Sequence, residues 1–212
     1  MTRMRILQMD TLRGVAILAV VAIHVTSKTI SMPEPSFWPY LVALAINQAA
    51  RFAVPCFIIL SGMGLEIGQA HTLGYIRFQK RRLSKVLPAY LLWSVIYIAF
   101  SSNGIATIVS PKALIIRIVS GSAFYHLYFV PLIIGTYLLY PFFSRSSKQL
   151  WSLLVLLGFM VTLQIAPDTG LWTIAKDIRN PFMWAFYFAF GVWLSRRLDI
   201  FSSYTERFRL PL

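Results

Sequence analysis

Three residues near the start of the chain have the types and spacing for proton transfer beside an anionic group. Asp10, Arg13 and His24 lie in MDTLRGVAILAVVAIHVT, residues 9–26, a run otherwise almost wholly apolar. Eleven residues of helix turn through roughly 1100°, three full turns plus ~20°. Arg13 and His24 therefore share one stripe, about 16 Å apart along the axis, and Asp10 falls within ~40° of His24 on that stripe. An imidazole exchanges donor for acceptor near neutral pH, which is what general base chemistry requires. An ionisable side chain inside an apolar span is expensive and is read as functional by default. The simpler reading of His24 is a packed, hydrogen-bonded residue satisfied by Thr26 or Ser27. Asp10 and Arg13 form either a helix-mouth pair, the acid favoured by the helix dipole, or an open guanidinium for an anionic ligand.

A second set of candidates is the dense basic run Arg77, Lys80, Arg81, Arg82 and Lys85, which ends just before Pro88. It suits anionic lipid headgroups and equally a phosphate clamp, because guanidinium forks match phosphate oxygens. Spacing of three places Arg82 and Lys85 on one helical side. Arg51, beside Asn47 and Gln48, is a cation inside an apolar stretch and should face protein or water. Pro55 behind it opens the helix hydrogen bonding, and Ser61, Gly62 and Gly64 permit close helix approach. His126 opens HLYFVPLIIGTYLLYPFF between Tyr125 and Tyr128, either as an interfacial aromatic or as a hydrogen-bond donor to a polar acceptor. The tryptophans at 151, 172, 184 and 193 are read as belt or core residues rather than a stacking site.

The elements that must position these residues are apolar helices. The 212 residues are 58% hydrophobic and 13% charged, with a mean hydropathy of +0.67, against about 25% charged in a soluble domain. Six apolar segments are drawn at 12–30, 43–65, 86–105, 127–143, 150–166 and 181–198. Several are near the short end, ~17 residues, of what a bilayer needs. The expected fold class is all-α, a polytopic integral membrane helix bundle of about six spans with both termini cytoplasmic. With the N-terminus inside, the inner regions hold Arg3, Arg5, Arg13, Arg77, Lys80, Arg81, Arg82, Lys85, Arg145, Lys148, Arg196, Arg197, Arg207 and Arg209. Only six of the 20 basic residues, Lys28, Arg51, Lys112, Arg117, Lys176 and Arg179, fall on the outer side, and such a split over short loops sets orientation. The first apolar stretch is read as a retained helix rather than a signal peptide.

The same distribution removes other classes. A net charge of +13 spread in short clusters sets orientation and is not a nucleic-acid face. A single cysteine, Cys56, rules out a disulfide framework and a thiolate metal site, and no metal is expected. Between the spans, Ser110-Pro111 reads as a helix start for KALIIRIV, whose Lys112 and Arg117 suit an outer interface. The outer connection 168–180 ends at Asn180-Pro181, where a helix restarts.

These motifs together resemble the membrane-bound acyltransferase 3 family, bacterial O-acetyltransferases that decorate surface polysaccharides, peptidoglycan and lipid-linked sugars. The resemblance rests on Arg13, ten intervening residues and His24 within TLRGVAILAVVAIH. It rests also on RFAVPCFIILSG, on Arg82-Leu-Ser-Lys85-Val-Leu-Pro88, on HLYFVPLIIGTYLLYPFF, and on NPFMWAFYFAFGVWL with its Phe188 to Gly191. It covers most of the chain. It implies transfer of an acyl group, usually acetyl, from cytoplasmic acyl-CoA to a hydroxyl of a cell-surface glycan or lipid-linked sugar in a bacterial cell membrane. His24 would be the catalytic base, and Arg13, Arg81, Arg82 and Lys85 would bind acetyl-CoA or another acyl-CoA. Arg51, His126 and Asp10 would lie on the substrate side. Lys85 stands where the family places a second arginine, keeping the charge without the bidentate fork. The family's usual ten spans make residues 1–198 the expected N-terminal portion of the fold, with 199–212 a short cytoplasmic tail and further helices or a partner protein supplying the rest. The alternative from a different class is a non-catalytic or truncated membrane component of surface-polymer assembly or transport. Partners in either case are membrane lipids and no nucleic acid.

Overall fold

The computed structural model describes residues 7–34, 36–68, 72, 74–101, 110–170, 173–174 and 176–197. The basic residues Arg3, Arg5, Arg207 and Arg209, the far end of the third expected span, Trp172 and the expected tail 199–212 lie outside these residues. Among the described residues the regular structure is entirely helical. In order the helices are α1 (Leu7–Ile30), α2 (Phe37–Ala50), α3 (Ala53–Ile67), α4 (Tyr75–Ala99), α5 (Pro111–Val119), α6 (Phe129–Leu138), α7 (Tyr140–Ser146) and α8 (Leu150–Ile165). A 3-10 turn (Pro181–Trp184) then leads into α9 (Ala185–Ser195). Two stretches are long and apolar enough to cross a membrane, Gln8–Ile30 and Phe37–Ile67. The apolar stretches Phe129–Leu138, Leu150–Ile165 and Pro181–Ser195 are shorter.

Two of the expected spans are broken, and in each a proline explains the break. The second is divided between α2 and α3 at Arg51 and Phe52. Pro55 has no N–H for the Arg51 carbonyl and its ring crowds that oxygen. The Arg51 N–H turns instead to the Gln48 carbonyl at 3.2 Å, a tighter i→i−3 bond, and the regular pattern resumes with Cys56 N–H to Phe52 O at 2.9 Å. The segment also begins at Phe37 rather than at residue 43, so Arg51 stands near the middle of Phe37–Ile67. The expected span at 127–143 breaks in the same way at Leu139, where Pro141 withholds its N–H from the Tyr137 carbonyl; Phe142 N–H then reaches Leu139 O at 3.0 Å.

A third difference concerns the basic run. The helical side expected for Arg82 and Lys85 belongs to the first turns of α4, a 25-residue helix that starts at Tyr75, ahead of the apolar segment drawn from residue 86, and passes through Pro88. Helix starts follow the sequence more closely. Ser110 and Pro111 begin α5, although the serine side chain makes no capping bond. Asn180 caps the 3-10 turn through its side-chain oxygen, which accepts from Phe182 N–H at 3.0 Å.

The chain divides into two compact units, one reaching to Gly68 and including the chain from Phe190, the other running from 69 to 189. In the first, α1 packs on α2 and α3, with Met9, Leu60 and Met63 buried together against Ile59 and Leu194. Gly191 allows the last helix to lie directly on α3, because a side chain there would run into the Ile59 carbonyl. In the second, Tyr140, Phe143 and Phe188 form a buried aromatic group. A separate core joins Tyr90 and Ile98 of α4 to Ala123 and Leu127.

Candidate functional site

In the first unit the charged mouth of α1 lies over the C-terminal turns of α3. Arg13 Nη1 donates to Asp10 Oδ1 at 2.9 Å, an ion pair at the mouth of the helix. Both side chains remain more than a third exposed, and such a pair adds little stability by itself. Its other arm matters more. Arg13 Nη2 stands 3.3 Å from where a Cβ would be at Gly64, so the bare glycine makes the seat for the guanidinium. Two residues on, Glu66 Oε1 accepts from Arg196 Nε at 2.8 Å, and beyond it the Arg197 guanidinium covers the Trp193 ring at 4.3 Å. Arg13 and Arg196 thus meet the same end of α3. Lys28 lies at the opposite end of α1.

His24 is half-buried on α1, ~20° around the helix from Arg13 by helical geometry. Thr26 Oγ1 donates to Ala22 O at 2.7 Å and Ser27 Oγ to Ile23 O at 2.6 Å. Both are tied from α2 by Asn47, whose Nδ2 reaches Ile23 O at 3.2 Å, Thr26 Oγ1 at 3.0 Å and Ser27 Oγ at 3.3 Å. One buried amide therefore clamps the backbone turn that carries His24. The sequence held a signal for this, since a polar amide in an apolar helix needs a partner. Arg51 itself is exposed at the α2–α3 break, away from the seat of Arg13 at the far end of α3.

In the second unit the basic run is fixed through α4. Phe78 and Gln79 are buried, Arg82 is half-buried, and Arg77, Lys80, Arg81 and Lys85 are exposed. Arg81, Lys85 and Arg82 fall within ~100° of helical arc, so the three residues expected to hold phosphates do share a side. Gln79 Nε2 donates to the Tyr137 carbonyl at 2.8 Å, and Tyr75 Oη to the Leu138 carbonyl at 3.3 Å. The backbone oxygens loosened by Pro141 are thus the anchor points of the basic helix. The same break borders an apolar groove of about 650 Å³ lined by Tyr75, Leu138, Leu139, Pro141, Phe142 and Arg145; none of the residues expected to do chemistry lines it. His126 lies elsewhere in this unit, among the rings of Tyr97, Phe124 and Tyr125. No group of three or more His, Cys, Asp or Glu suited to a metal ion occurs among the described residues.

A seated arginine on one stripe with a histidine, and a separate basic helix face, are suited to an anionic ligand beside a proton acceptor. The model of a protein family described as an acyltransferase domain matches residues 6–211. The chain belongs to the acyltransferase 3 family. No curated protein and no solved structure gives a significant match. In this acyltransferase domain Asp10, Arg13 and His24 share one helix, and Arg81, Arg82 and Lys85 share another. Arg51 and His126 belong to neither group.

Proposed function

We propose that this chain is a multi-pass membrane acyltransferase of the bacterial cell membrane with both termini in the cytoplasm. It moves an acyl group, acetyl in the first instance, from cytoplasmic acyl-CoA to a hydroxyl of a cell-surface glycan or lipid-linked sugar. The observation that carries this reading is the Arg13–His24 stripe of α1, with its charged end seated on Gly64 and its histidine turn clamped by Asn47.

The chemistry divides between the two ends of that stripe. CoA is large and polyanionic, so its phosphates stay at the cytoplasmic surface; the donor-binding residues in this reading are Arg81, Arg82 and Lys85 on α4 and, on α1, Arg13, whose charge Asp10 partly balances. The thioester is carried inward toward His24. There the imidazole accepts the proton of the acceptor hydroxyl as its oxygen attacks the thioester carbonyl. The C–S bond breaks, CoA leaves as thiolate, and the imidazolium returns the proton to sulfur. The ester formed and free CoA balance the atoms. Arg51 and His126 contribute to the acceptor side.

The test is acetyl-CoA consumption by the full chain in lipid nanodiscs with a panel of glycan acceptors. His24→Ala is expected to lose turnover by about 10²-fold or more while binding acetyl-CoA as the parent does. Equal turnover by the two proteins would remove His24 from the chemistry. A wild-type chain that consumes no acetyl-CoA with any acceptor would favour the non-catalytic assembly role.

A further inference from the structure

The groove beside the proline break between α6 and α7, about 650 Å³ in volume, has walls that other contacts already fix. On one side Leu138 ends α6, and Pro141 and Phe142 lie in the first turn of α7. Tyr75 forms the opposite wall, its hydroxyl donating to the Leu138 carbonyl at 3.3 Å. Behind Tyr75, Phe78 is buried against the Tyr140 ring with centroids 5.4 Å apart, and Gln79 holds the Tyr137 carbonyl at 2.8 Å. The groove is thus shaped before anything enters it, yet its apolar lining is open, with Tyr75 49%, Leu138 47% and Phe142 57% exposed.

One end of this groove carries a charge. Arg145 lines it from the last turn of α7, ~10 Å of helical rise beyond Leu138. The residue is exposed, and its guanidinium makes no hydrogen bond or ion pair with the described residues. Residues 69–189 contain only two carboxylates, Asp168 and Asp177. Both are committed, to Lys176 at 2.8 Å and to Arg179 at 3.2 Å. The second unit therefore supplies no counter-ion for Arg145, and exposed Lys148, three positions on, adds charge of the same sign. Trp151 marks the level of this end: it is 63% exposed and turns its indole N–H to Gln149 Oε1 at 2.5 Å, the habit of a tryptophan at a membrane–water interface.

We propose that this groove binds one anionic phospholipid, with an acyl chain lying along Tyr75, Leu138 and Phe142 and the phosphodiester held by Arg145. An apolar channel with a cation at one end is complementary to an amphiphile with a single anionic head. A guanidinium offers the phosphodiester two parallel donors. A zwitterionic head would bring an ammonium to a place with two cations and no carboxylate, so phosphatidylglycerol is preferred over phosphatidylcholine. Acyl-CoA fits less well, because its several phosphates call for several cations, and Arg81, Arg82 and Lys85 do not line the groove. The site requires the chain to sit in a membrane and is independent of acyl transfer.

The full chain, delipidated in maltoside micelles, is titrated with dioleoyl phosphatidylglycerol and separately with dioleoyl phosphatidylcholine, and bound lipid is counted by native mass spectrometry. One phosphatidylglycerol is expected to bind ahead of all others, about tenfold tighter than phosphatidylcholine. Arg145→Ala should weaken that first binding by about tenfold. Leu138→Trp, which fills the channel from an exposed position, should weaken it as much. Arg77→Ala removes an equal charge from an exposed site ~160° around α4 from Tyr75 and should leave binding within about twofold. Thermal unfolding checks each fold, and Arg145→Ala, a surface change, decides the matter if Leu138→Trp unfolds. Equal losses in Arg77→Ala and Arg145→Ala would reduce the effect to general charge and overturn the site, as would undiminished binding by a folded Leu138→Trp. Displacement of the lipid by an equal concentration of oleoyl-CoA would make the groove a donor site and overturn the phospholipid assignment. A site upheld in a chain that consumes no acetyl-CoA sinks acyl transfer alone, and turnover by a chain that binds no lipid ahead of others does the reverse.

Discussion

Replacing Gln79 by leucine tests how the basic helix is held. Gln79 is buried, and its Nε2 donates at 2.8 Å to the Tyr137 carbonyl, which has no i+4 donor because residue 141 is proline. Losing a partner to a buried carbonyl costs about 1–3 kcal/mol. Two features of the structure pull the figure down. The Leu139 N–H leans toward both the Gly135 and the Tyr137 carbonyls, so Tyr137 O keeps a weak donor. The Gln79 Oε1 is itself buried without a hydrogen bond, and leucine removes that burden. The expected cost is therefore about 1 kcal/mol, at the low end of the range. The decisive measurement is a double-mutant cycle with Pro141→Ala, which supplies an N–H that can close the helical bond to Tyr137 O. In that background Gln79→Leu is expected to cost less, with a coupling of about 0.5–1 kcal/mol. Unfolding in mixed micelles gives the free energies, and the KM for acetyl-CoA reports whether loosening this end of α4 disturbs Arg81, Arg82 and Lys85. Additive costs would refute the idea that Gln79 answers the proline.

Three further outcomes follow from the same geometry. Asn47→Leu removes an amide that touches three acceptors, yet Thr26 and Ser27 keep their bonds to α1, so stability should fall by only about 0.6–1.7 kcal/mol, from the average to the largest value measured for such bonds within membranes. The acyl-transfer rate should fall further, since small misplacements of a reacting group cost up to ~10²-fold; an unchanged kcat would remove the clamp from the mechanism. Gly64→Val places side-chain atoms against the Arg13 guanidinium and is expected to raise the KM for acetyl-CoA with little change in kcat, read from steady-state kinetics. Glu66→Gln separates a carboxylate 10% exposed from an arginine 24% exposed. A fully buried pair would cost about 3–5 kcal/mol to break, so about 1–3 kcal/mol is expected here, and the double exchange Glu66→Arg with Arg196→Glu should recover part of it in the same unfolding assay.

How much of this was legible depends on whether the controlling interaction is local. The Arg13–His24 stripe needs only helical periodicity, and α1 runs unbroken through both residues. The break after Arg51 needs only the rule that a proline disables the carbonyl four residues earlier, and Pro55 obeys it. The same rule applied to Pro141 places a break at Leu139, yet hydropathy alone draws 127–143 as continuous, because a kink leaves composition unchanged. The start of α4 lies ahead of the apolar segment for the opposite reason. Hydropathy begins the segment only after the charges of Arg77 to Lys85, although arginine and lysine are good helix formers, and the buried partners Phe78 and Gln79 that fix the helix are interleaved among them.

What no local rule supplies is the partner across the fold. Nothing near Gly64 says that its missing side chain makes room for Arg13, fifty-one positions earlier, nor that Glu66 will meet Arg196. The same holds for Tyr97, whose stacking on Phe124 joins the end of α4 to the loop before α6. These contacts share a form: a residue useless or costly alone becomes sensible once its counterpart is placed. An apolar helix leaves few polar groups, so each one that remains constrains the packing strongly, and Asn47, Gln79 and Glu66 are where that constraint is read. Their pairings carry more information about the arrangement than the many apolar contacts around them, because lipid and protein interior are almost equally good surroundings for leucine and equally poor ones for an unpaired amide or carboxylate.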